Sequence, residues 1–89
     1  MYRVLKSQKV ERFLGKLDGH IKTRIEERLK RLGKDPVPTD AKFIGRDNEG
    51  NKIFRYRAGG YRILYKVKIK EKIVLIAKIG KRPNVYAKF

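Results

Sequence analysis

Residues 53–69 read Ile-Phe-Arg-Tyr-Arg-Ala-Gly-Gly-Tyr-Arg-Ile-Leu-Tyr-Lys-Val-Lys-Ile, and this stretch decides the fold. Side chains alternate in character over 53–58 and again over 61–69, which predicts two β-strands. Gly59 and Gly60 lie between the two runs, and glycine tolerates the positive φ that primed two-residue turns require. The stretch therefore predicts an antiparallel β-hairpin with a two-residue loop.

The short loop also predicts which residues face each other across the hairpin. It pairs Ala58 with Tyr61, Arg57 with Arg62, Tyr56 with Ile63 and Arg55 with Leu64. The face expected to meet the rest of the core then carries Tyr56, Tyr61, Ile63, Tyr65 and Val67. The other face carries the basic residues Arg55, Arg57, Arg62 and Lys66. Like charges directly opposite each other destabilise a sheet, so the Arg57 and Arg62 pair indicates a site for a bound phosphate.

The residues before the hairpin predict one short strand and two helices. Residues 2–6 are a strand candidate, after which Ser7 can cap a helix that stops at Asp18-Gly19. Its apolar stripe, at helical spacing, is Val10, Phe13, Leu14 and Leu17. A second helix has the stripe Ile21, Ile25, Leu29 and Leu32, with Gly33 expected as its left-handed cap. The two helices should form a helical hairpin.

The remaining segments complete the fold prediction. Residues 35–50 are acidic and rich in turn residues, and the Phe43-Ile44 pair allows at most a brief strand there. Residues 73–79 are apolar on both faces, which indicates a central strand that Gly80 should end. A loop near residues 70–72 places Arg62 opposite Gly80. The order βααβββ, with one extra short strand allowed, predicts a single α+β domain over residues 1–89. In this domain the helical hairpin packs on one face of a mostly antiparallel four-stranded sheet.

Charge is the strongest compositional signal. The 89 residues include 25 Lys and Arg against 9 Asp and Glu, a formal net charge of +16. Self-repulsion of this size opposes a compact fold unless a polyanion relieves it, which favours nucleic acid as a partner. Residues 51–89 hold twelve basic side chains and one acidic side chain, a net charge of +11. Because these residues are also the most regular β region, the charge is expected on a sheet surface.

Several other chemistries are disfavoured by composition. The chain has no cysteine, which excludes disulfides, thiolate catalysis and cysteine-ligated zinc. It has no long apolar run and no signal-peptide pattern, so we expect a cytoplasmic protein without a membrane partner. His20, the only histidine, is expected in a surface or capping role at the start of the second helix. The acidic residues of the turn-rich segment, Asp35, Asp40, Asp47 and Glu49, lack metal-ligand spacing, so no metal or cofactor is expected.

The basic cluster suits RNA in particular. Continuing the strand register places Lys81, Arg82 and Tyr86 beside the Arg57 and Arg62 pair. Arginine offers bidentate phosphate contacts, and a tyrosine ring can stack on a base. Arginine can also stabilise the charge that develops when an RNA strand is cut, although a proton acceptor such as histidine is missing from the cluster. These residues alone leave simple RNA binding and RNA cleavage equally open.

The whole chain resembles the RelE toxins of the RelE/ParE superfamily. The resemblance rests on the combination of the first strand and helical hairpin with three motifs, Phe54-Arg-Tyr-Arg57, Gly60-Tyr-Arg-Ile-Leu-Tyr65 and Ile79-Gly-Lys-Arg82 followed by Val85-Tyr86. RelE toxins are ribosome-dependent endoribonucleases that cut messenger RNA in the ribosomal A site. The resemblance therefore implies a metal-independent enzyme in which the 2′-hydroxyl attacks the adjacent phosphate.

The resemblance also implies roles for individual residues. Arg55 and Arg57 match two phosphate-binding strand residues, although arginine, unlike lysine, is a poor candidate for the base. Arg62 matches the arginine that stabilises the transition state, and Arg82 matches the one proposed to protonate the leaving oxygen. Tyr86 matches the tyrosine that stacks on or orients the nucleotide and helps to activate the 2′-hydroxyl. Three lysines complete the expected RNA-binding set: Lys52, Lys66 and Lys81.

The partner implied by the resemblance is a RelB-like antitoxin, an acidic extended protein that wraps the toxin. Operator DNA is expected to bind only through the toxin–antitoxin complex, and the ribosome and messenger RNA are the expected targets. Val4, Leu5, Val74 and Ile76 are candidates for apolar contacts to the antitoxin, although ordinary burial in the core is the favoured interpretation for each of them. Two alternatives stay open: a ParE-like toxin that inhibits DNA gyrase, and a non-enzymatic basic RNA-binding protein. The combination of Arg62, Arg82 and Tyr86 argues against the ParE-like alternative, whose members generally lack this set.

Overall fold

Two helices lie against one face of a five-stranded sheet in the computed structural model, which describes residues 1–81. The elements in chain order are β1 (Arg3–Lys6), α1 (Gln8–Gly15), α2 (Gly19–Lys34), β2 (Lys42–Arg46), β3 (Lys52–Ala58), β4 (Tyr61–Lys68) and β5 (Ile73–Lys81). The strand order is β1-β5-β4-β3-β2, with β1 parallel to β5 and every other pair antiparallel. The α+β prediction is confirmed, and β2 is the extra strand that it allowed.

The hairpin formed by β3 and β4 has the predicted register. Ala58 pairs with Tyr61 and Arg57 with Arg62, and on the far side of β4 Arg62 pairs with Gly80. In the loop, φ is positive at Gly59 (+62°) but not at Gly60, which is the φ pattern of a type II′ turn. Strand β5 does not end at Gly80 as expected, because Lys81 still pairs with Tyr61 and extends the strand.

Ser7 joins the first helix to the centre of the sheet. Its hydroxyl oxygen accepts a hydrogen bond from the Val10 backbone N–H at 3.2 Å, which is the predicted N-cap. The same hydroxyl donates to the backbone oxygen of Ala77 at 3.1 Å. Ala77 is the unpaired residue at the register shift between β4 and β5, so Ser7 satisfies a carbonyl at an irregular point of the strand. The helix ends at Gly15, a few residues before the expected Asp18-Gly19.

Helix α2 buries the predicted stripe, with Ile25, Leu29 and Leu32 all at least 97% buried. The expectation that Gly33 is a left-handed cap was wrong, because the helix continues through Lys34. Gly33 instead marks a close approach of α2 to β1. A Cβ atom there would lie 3.0 Å from the Tyr2 backbone oxygen, and the Tyr2 N–H donates to the Gly33 oxygen at 2.8 Å. The glycine is therefore needed for helix–strand packing.

The core lies between the helices and the predicted apolar face of the hairpin. Tyr56, Ile63, Tyr65 and Val67 belong to one buried cluster with α1 and α2, and Tyr61 packs at its margin. The Tyr65 ring is fully buried, and its hydroxyl donates to the Pro36 backbone oxygen at 2.7 Å. Burial, which disfavours the charged phenolate, raises the pKa of Tyr65 well above its ordinary value of 10.0. Within residues 1–81, neither helix is long and apolar enough to span a membrane.

The turn geometry separates the effects of the two loop glycines. Gly59→Ala should destabilise the protein by about 1–2 kcal/mol, because an L-residue with a Cβ resists positive φ. A Cβ atom added at either glycine would have no other atom within 4 Å, so only the backbone conformation distinguishes the two positions. Because φ at Gly60 is not positive, Gly60→Ala should be neutral or slightly stabilising. Urea denaturation of the two variants provides the measurement. Equal losses of stability would show that the turn is not of this type.

Candidate RNA-binding surface

The sheet face opposite the helices carries the paired arginines. Arg57 and Arg62 lie directly across from each other on β3 and β4, in the register predicted for them. Arg57 is exposed, whereas Arg62 is only 8% exposed. On the next strand Arg62 faces Gly80, which has no side chain. The pair therefore places two guanidinium groups side by side at one end of the sheet, with Arg57 exposed and Arg62 largely buried.

A second row of basic residues lies next to this pair. Arg55 faces Leu64 on β4 and Lys42 on β2, and Leu64 in turn faces Lys78 on β5. The arginine face is defined here as Arg55, Arg57, Arg62, Lys42 and Lys78, which project from the same side of four adjacent strands. Sequence reasoning missed both lysines. Extending the pairing of Arg62 with Gly80 by two residues would have placed Lys78 on this face. The position of Lys42, in contrast, depends on how β2 pairs with β3.

A side chain of the helical layer also contacts the backbone of Arg57. Strand β2 reaches only to the level of Arg55, and beyond it the Arg28 guanidinium of α2 donates to the Arg57 backbone oxygen at 3.3 Å. This contact satisfies an outer carbonyl of β3 and fixes the end of the strand to α2. The position of Arg57 is therefore set by both the hairpin register and a contact from the second helix.

Lys66 lies on the same face, as predicted, but its charge is paired. Its ammonium lies 3.2 Å from Oδ2 of Asp47 in the loop between β2 and β3. Asp47 also accepts hydrogen bonds from the Asn51 side chain at 3.1 Å and from the Asn51 and Glu49 backbone N–H groups at 2.9 Å. These bonds, led by that from the Asn51 side chain, hold the pKa of Asp47 well below its ordinary value. Asp47 is thus a structural anchor of this loop.

The other two lysines predicted to bind RNA lie away from the arginine face. Lys52 pairs with Val67 and therefore projects to the helix side of the sheet. Lys81 lies with its ammonium 5.6 Å from the centre of the Tyr61 ring, a cation–π contact on the helix side. Tyr61 in turn contacts Phe13 edge to face, with ring centres 5.9 Å apart. The structure does not bring these lysines together with Arg57 and Arg62.

The remaining predicted site residues fall into two groups. Arg82 and Tyr86 lie outside the described residues. His20 is exposed in the first turn of α2, on the helical layer and not on the arginine face. Across residues 1–81, no three His, Asp or Glu side chains are grouped closely enough to hold a metal ion. The chemistry available on the described face is therefore that of guanidinium and ammonium groups, which bind phosphate and stabilise negative charge.

Comparison with known proteins identifies the class to which this fold and basic face belong. A family model described as the ParE toxin of type II toxin–antitoxin systems matches residues 4–86. The chain therefore belongs to this family of toxins. Within it the chain is RelE-like: toxin RelE1 of Methanocaldococcus jannaschii is 29% identical over 63 residues, which cover 71% of this chain and 70% of the relative.

Solved structures agree with this placement. RelE in the archaeal RelE–RelB complex of Pyrococcus horikoshii is 29% identical, with a TM-score of 0.82 over 92% of this chain and 96% of that chain. The toxin–antitoxin complex RelBE2 of Mycobacterium tuberculosis gives 27% identity and a TM-score of 0.74 over 91% and 98%. The isolated Escherichia coli RelE toxin, at 21% identity and a TM-score of 0.72 over 98% and 93%, shares the fold.

The anchoring of Asp47 predicts how stability depends on pH. Because its pKa is lower in the folded chain than its ordinary 3.8, the carboxylate stabilises the fold above that value. This contribution is lost as the pH falls from about 4 toward the folded-state pKa. Asp47→Asn should therefore lower stability by a constant amount at neutral pH, and the difference from the wild type should shrink below about pH 4.

Urea denaturation of both proteins across pH 2–7 measures this difference. Asp40→Asn, which changes an exposed carboxyl of the same acidic segment, is the matched control and should leave stability nearly unchanged at neutral pH. A difference between wild type and Asp47→Asn that stays constant down to pH 2 would contradict the anchoring role.

Proposed function

We propose that this toxin is a ribosome-dependent endoribonuclease that cuts messenger RNA in the ribosomal A site and thereby inhibits translation in the cytoplasm. The observation that carries the proposal is the Arg57 and Arg62 pair, two like charges directly opposite each other on the sheet face away from the helices. Like charges at directly opposite positions repel each other, and a phosphate bound to both guanidinium groups stabilises such a pair. The RelE-like family and the formal charge of +16 agree with an RNA target.

In the proposed reaction, the 2′-hydroxyl oxygen attacks the adjacent phosphorus while the bond from phosphorus to the 5′-oxygen breaks. The products are a 2′,3′-cyclic phosphate and a 5′-hydroxyl end. Arg62 and Arg57 stabilise the extra negative charge on the phosphate oxygens in the transition state, and Arg55 holds the phosphate from the neighbouring row. Arg82 protonates the leaving oxygen, and Tyr86 stacks on the nucleotide and helps to activate the 2′-hydroxyl. These last two roles rest on the resemblance to RelE toxins.

Dependence on the ribosome follows from what the arginine face lacks. His20, the only histidine, lies in the helical layer, so this face has no imidazole base. The arginines of this face, Arg55, Arg57 and Arg62, stay protonated, so they stabilise negative charge and cannot act as the base. Alignment of the 2′-hydroxyl with the phosphate must then supply a large part of the rate, and effective molarities of about 10⁵–10⁸ M are reached by good alignment. We propose that the decoding site supplies this alignment by holding the message in one geometry.

The proposed regulator is a RelB-like antitoxin. The solved relatives include RelE–RelB complexes from P. horikoshii and M. jannaschii and the RelBE2 complex of M. tuberculosis. An acidic antitoxin suits a toxin with this net charge, because it relieves self-repulsion as well as occupying the surface. Operator DNA is proposed to bind only through the complex of the two proteins.

Removing two arginines tests the catalytic assignment. Arg62→Ala combined with Arg82→Ala should reduce cutting of ribosome-bound message by at least about 10²–10³-fold, the effect of losing one transition-state donor. Primer extension on programmed ribosomes measures the cuts. Arg24→Ala, an exposed arginine of α2, is the control for a lost positive charge and should cut at nearly the wild-type rate. Full cutting by the double variant would show that the catalytic residues lie elsewhere.

The ParE description of the matching family keeps inhibition of DNA gyrase as the second candidate function. Assays of the wild-type protein distinguish these two candidate functions. Codon-positioned cuts in ribosome-bound message support the nuclease, whereas intact message together with inhibited supercoiling by gyrase would establish the alternative. Ribosome binding without cutting or gyrase inhibition would indicate a non-enzymatic RNA-binding protein.

Salt dependence tests whether the arginine face makes the phosphate contacts. The affinity for ribosomes should fall steeply with ionic strength, because each neutralised phosphate releases counterions. Arg57→Ala should reduce the slope of log affinity against log salt by about one. Filter binding from about 50 to 200 mM salt covers the useful range. A flat slope in the wild type would contradict the electrostatic model, and a slope that Arg57→Ala leaves unchanged would place the phosphate contacts on another surface.

A further inference from the structure

An apolar groove lies on the helix side of the sheet, beside the edge strand β2. Its volume is about 570 Å³, and its apolar lining includes Val37, Phe43, Phe54, Val67 and Ile69. These residues come from three parts of the chain: the segment after α2, the β2–β3 pair, and β4 with the residue that follows it. The groove is separate from the arginine face, which lies on the other side of the same sheet.

The groove is exposed to solvent. Val37, Phe43 and Ile69 are 49%, 55% and 62% exposed, and they are half of the large apolar residues that the described chain leaves exposed. Three such side chains gathered around one concave site form an apolar patch, which on a soluble protein indicates a binding surface. By contrast, Val74 and Ile76 are fully buried, which was the favoured interpretation of their sequence positions, so they are not available to an antitoxin.

The floor of the groove is rigid. Phe54 is 95% buried and stacks on Tyr65 with ring centres 5.6 Å apart, and the Phe43 ring meets it edge to face at 5.9 Å. The Tyr65 hydroxyl holds the Pro36 carbonyl at 2.7 Å, which fixes the segment that carries Val37. A partner therefore meets a preformed site and does not have to order it, which favours tight binding.

The charges around the groove select its occupant. Arg46 and Lys52 pair across β2 and β3 at its rim, and the Arg46 guanidinium is positioned by a 3.0 Å hydrogen bond to the Gly50 oxygen. Asp35 is the one acidic side chain in the described lining. A second copy of this chain would bring another formal charge of +16 to a basic rim, so repulsion opposes self-association here. An acidic polypeptide has the complementary charge.

We infer that this groove is a docking site for an acidic segment of the antitoxin, which places apolar side chains against Val37, Phe43 and Ile69 and carboxylates near Arg46 and Lys52. The inference rests on the proposed function for the existence of the antitoxin, and it adds where one part of that partner binds. Because the groove and the arginine face lie on opposite sides of the sheet, this contact contributes affinity without touching the RNA surface.

The test uses the product of the reading frame adjacent to the gene of this chain as the probe. Val37→Asp combined with Ile69→Asp should weaken its binding on the order of 100-fold, as expected for losing the centre of an interface and adding like charge. Cutting of ribosome-bound message by this variant should stay at the wild-type level. The toxin should therefore escape neutralisation when both proteins are expressed together. Binding is measured by isothermal titration calorimetry.

Two controls separate the groove from general effects. Val37→Ile with Ile69→Val keeps the surface apolar and should bind like the wild type. Gln8→Asp with Thr23→Asp makes the same change in net charge at exposed helix positions, and it should weaken binding only slightly.

Unchanged binding by the Val37→Asp and Ile69→Asp variant, with a wild type that binds, would overturn the docking site and leave the proposed function intact. A wild type that fails to bind the adjacent-gene protein would instead contradict the proposed antitoxin and the docking site with it. Analytical ultracentrifugation compares the oligomeric state of the wild type with that of the double aspartate variant. A dimer formed by the wild type but not by the variant would assign the groove to a second copy of the chain and overturn the inference. A tightly bound small molecule in the purified chain would also overturn it.

Discussion

The register of the β3–β4 hairpin is the constraint on which the rest of the structure depends. Because the loop has two residues and only Gly59 takes positive φ, Arg57 must face Arg62 and Tyr56 must face Ile63. A slip by one residue would move every side chain of one strand to the opposite face of the sheet. It would bury arginines among the helices and expose the tyrosines that form the core. The turn therefore specifies the hydrophobic core and the basic surface together.

The sheet keeps these two surfaces apart at an energetic cost. Opposed arginines repel each other, and the described face adds Lys42 and Lys78 in the neighbouring row. Burial of the helix-side residues offsets this repulsion, since each fully buried large apolar side chain contributes about 1.5–3 kcal/mol. Three local contacts also stabilise the fold. The Ser7 hydroxyl hydrogen-bonds to β5, the Tyr65 hydroxyl hydrogen-bonds to the segment after α2, and Asp47 forms an ion pair with Lys66. The basic face is thus supported by contacts made elsewhere in the fold.

Local patterns predicted the parts of the fold that depend on neighbouring residues. The hairpin register follows from the two-glycine loop, and the Ser7 cap follows from a serine just before an apolar stripe. The two faces of the hairpin and the stripe of α2 follow from spacings of two and 3.6 residues. The structure confirms all four. Strand β2 was harder to predict because it is short, lies at an edge and is defined by pairing with β3. Gly33 was misassigned because a glycine near a helix end is more often a cap, whereas here β1 crosses close by. Lys52 could have been placed correctly, since residues 52, 54 and 56 of one strand share a face, and Phe54 and Tyr56 lie on the helix side. The groove draws on distant segments, which no local pattern brings together.

In the proposed mechanism, the arginine face holds the phosphate that is cut. The most direct measurement of this contact is a cryo-electron microscopy map of this chain on a programmed ribosome, with a 2′-O-methyl group at the target nucleotide to prevent cleavage. We expect the scissile phosphate to lie within about 3 Å of the Arg57 and Arg62 guanidinium groups. A message that instead contacts the helices or the groove, with the arginine face in solvent, would contradict this mechanism.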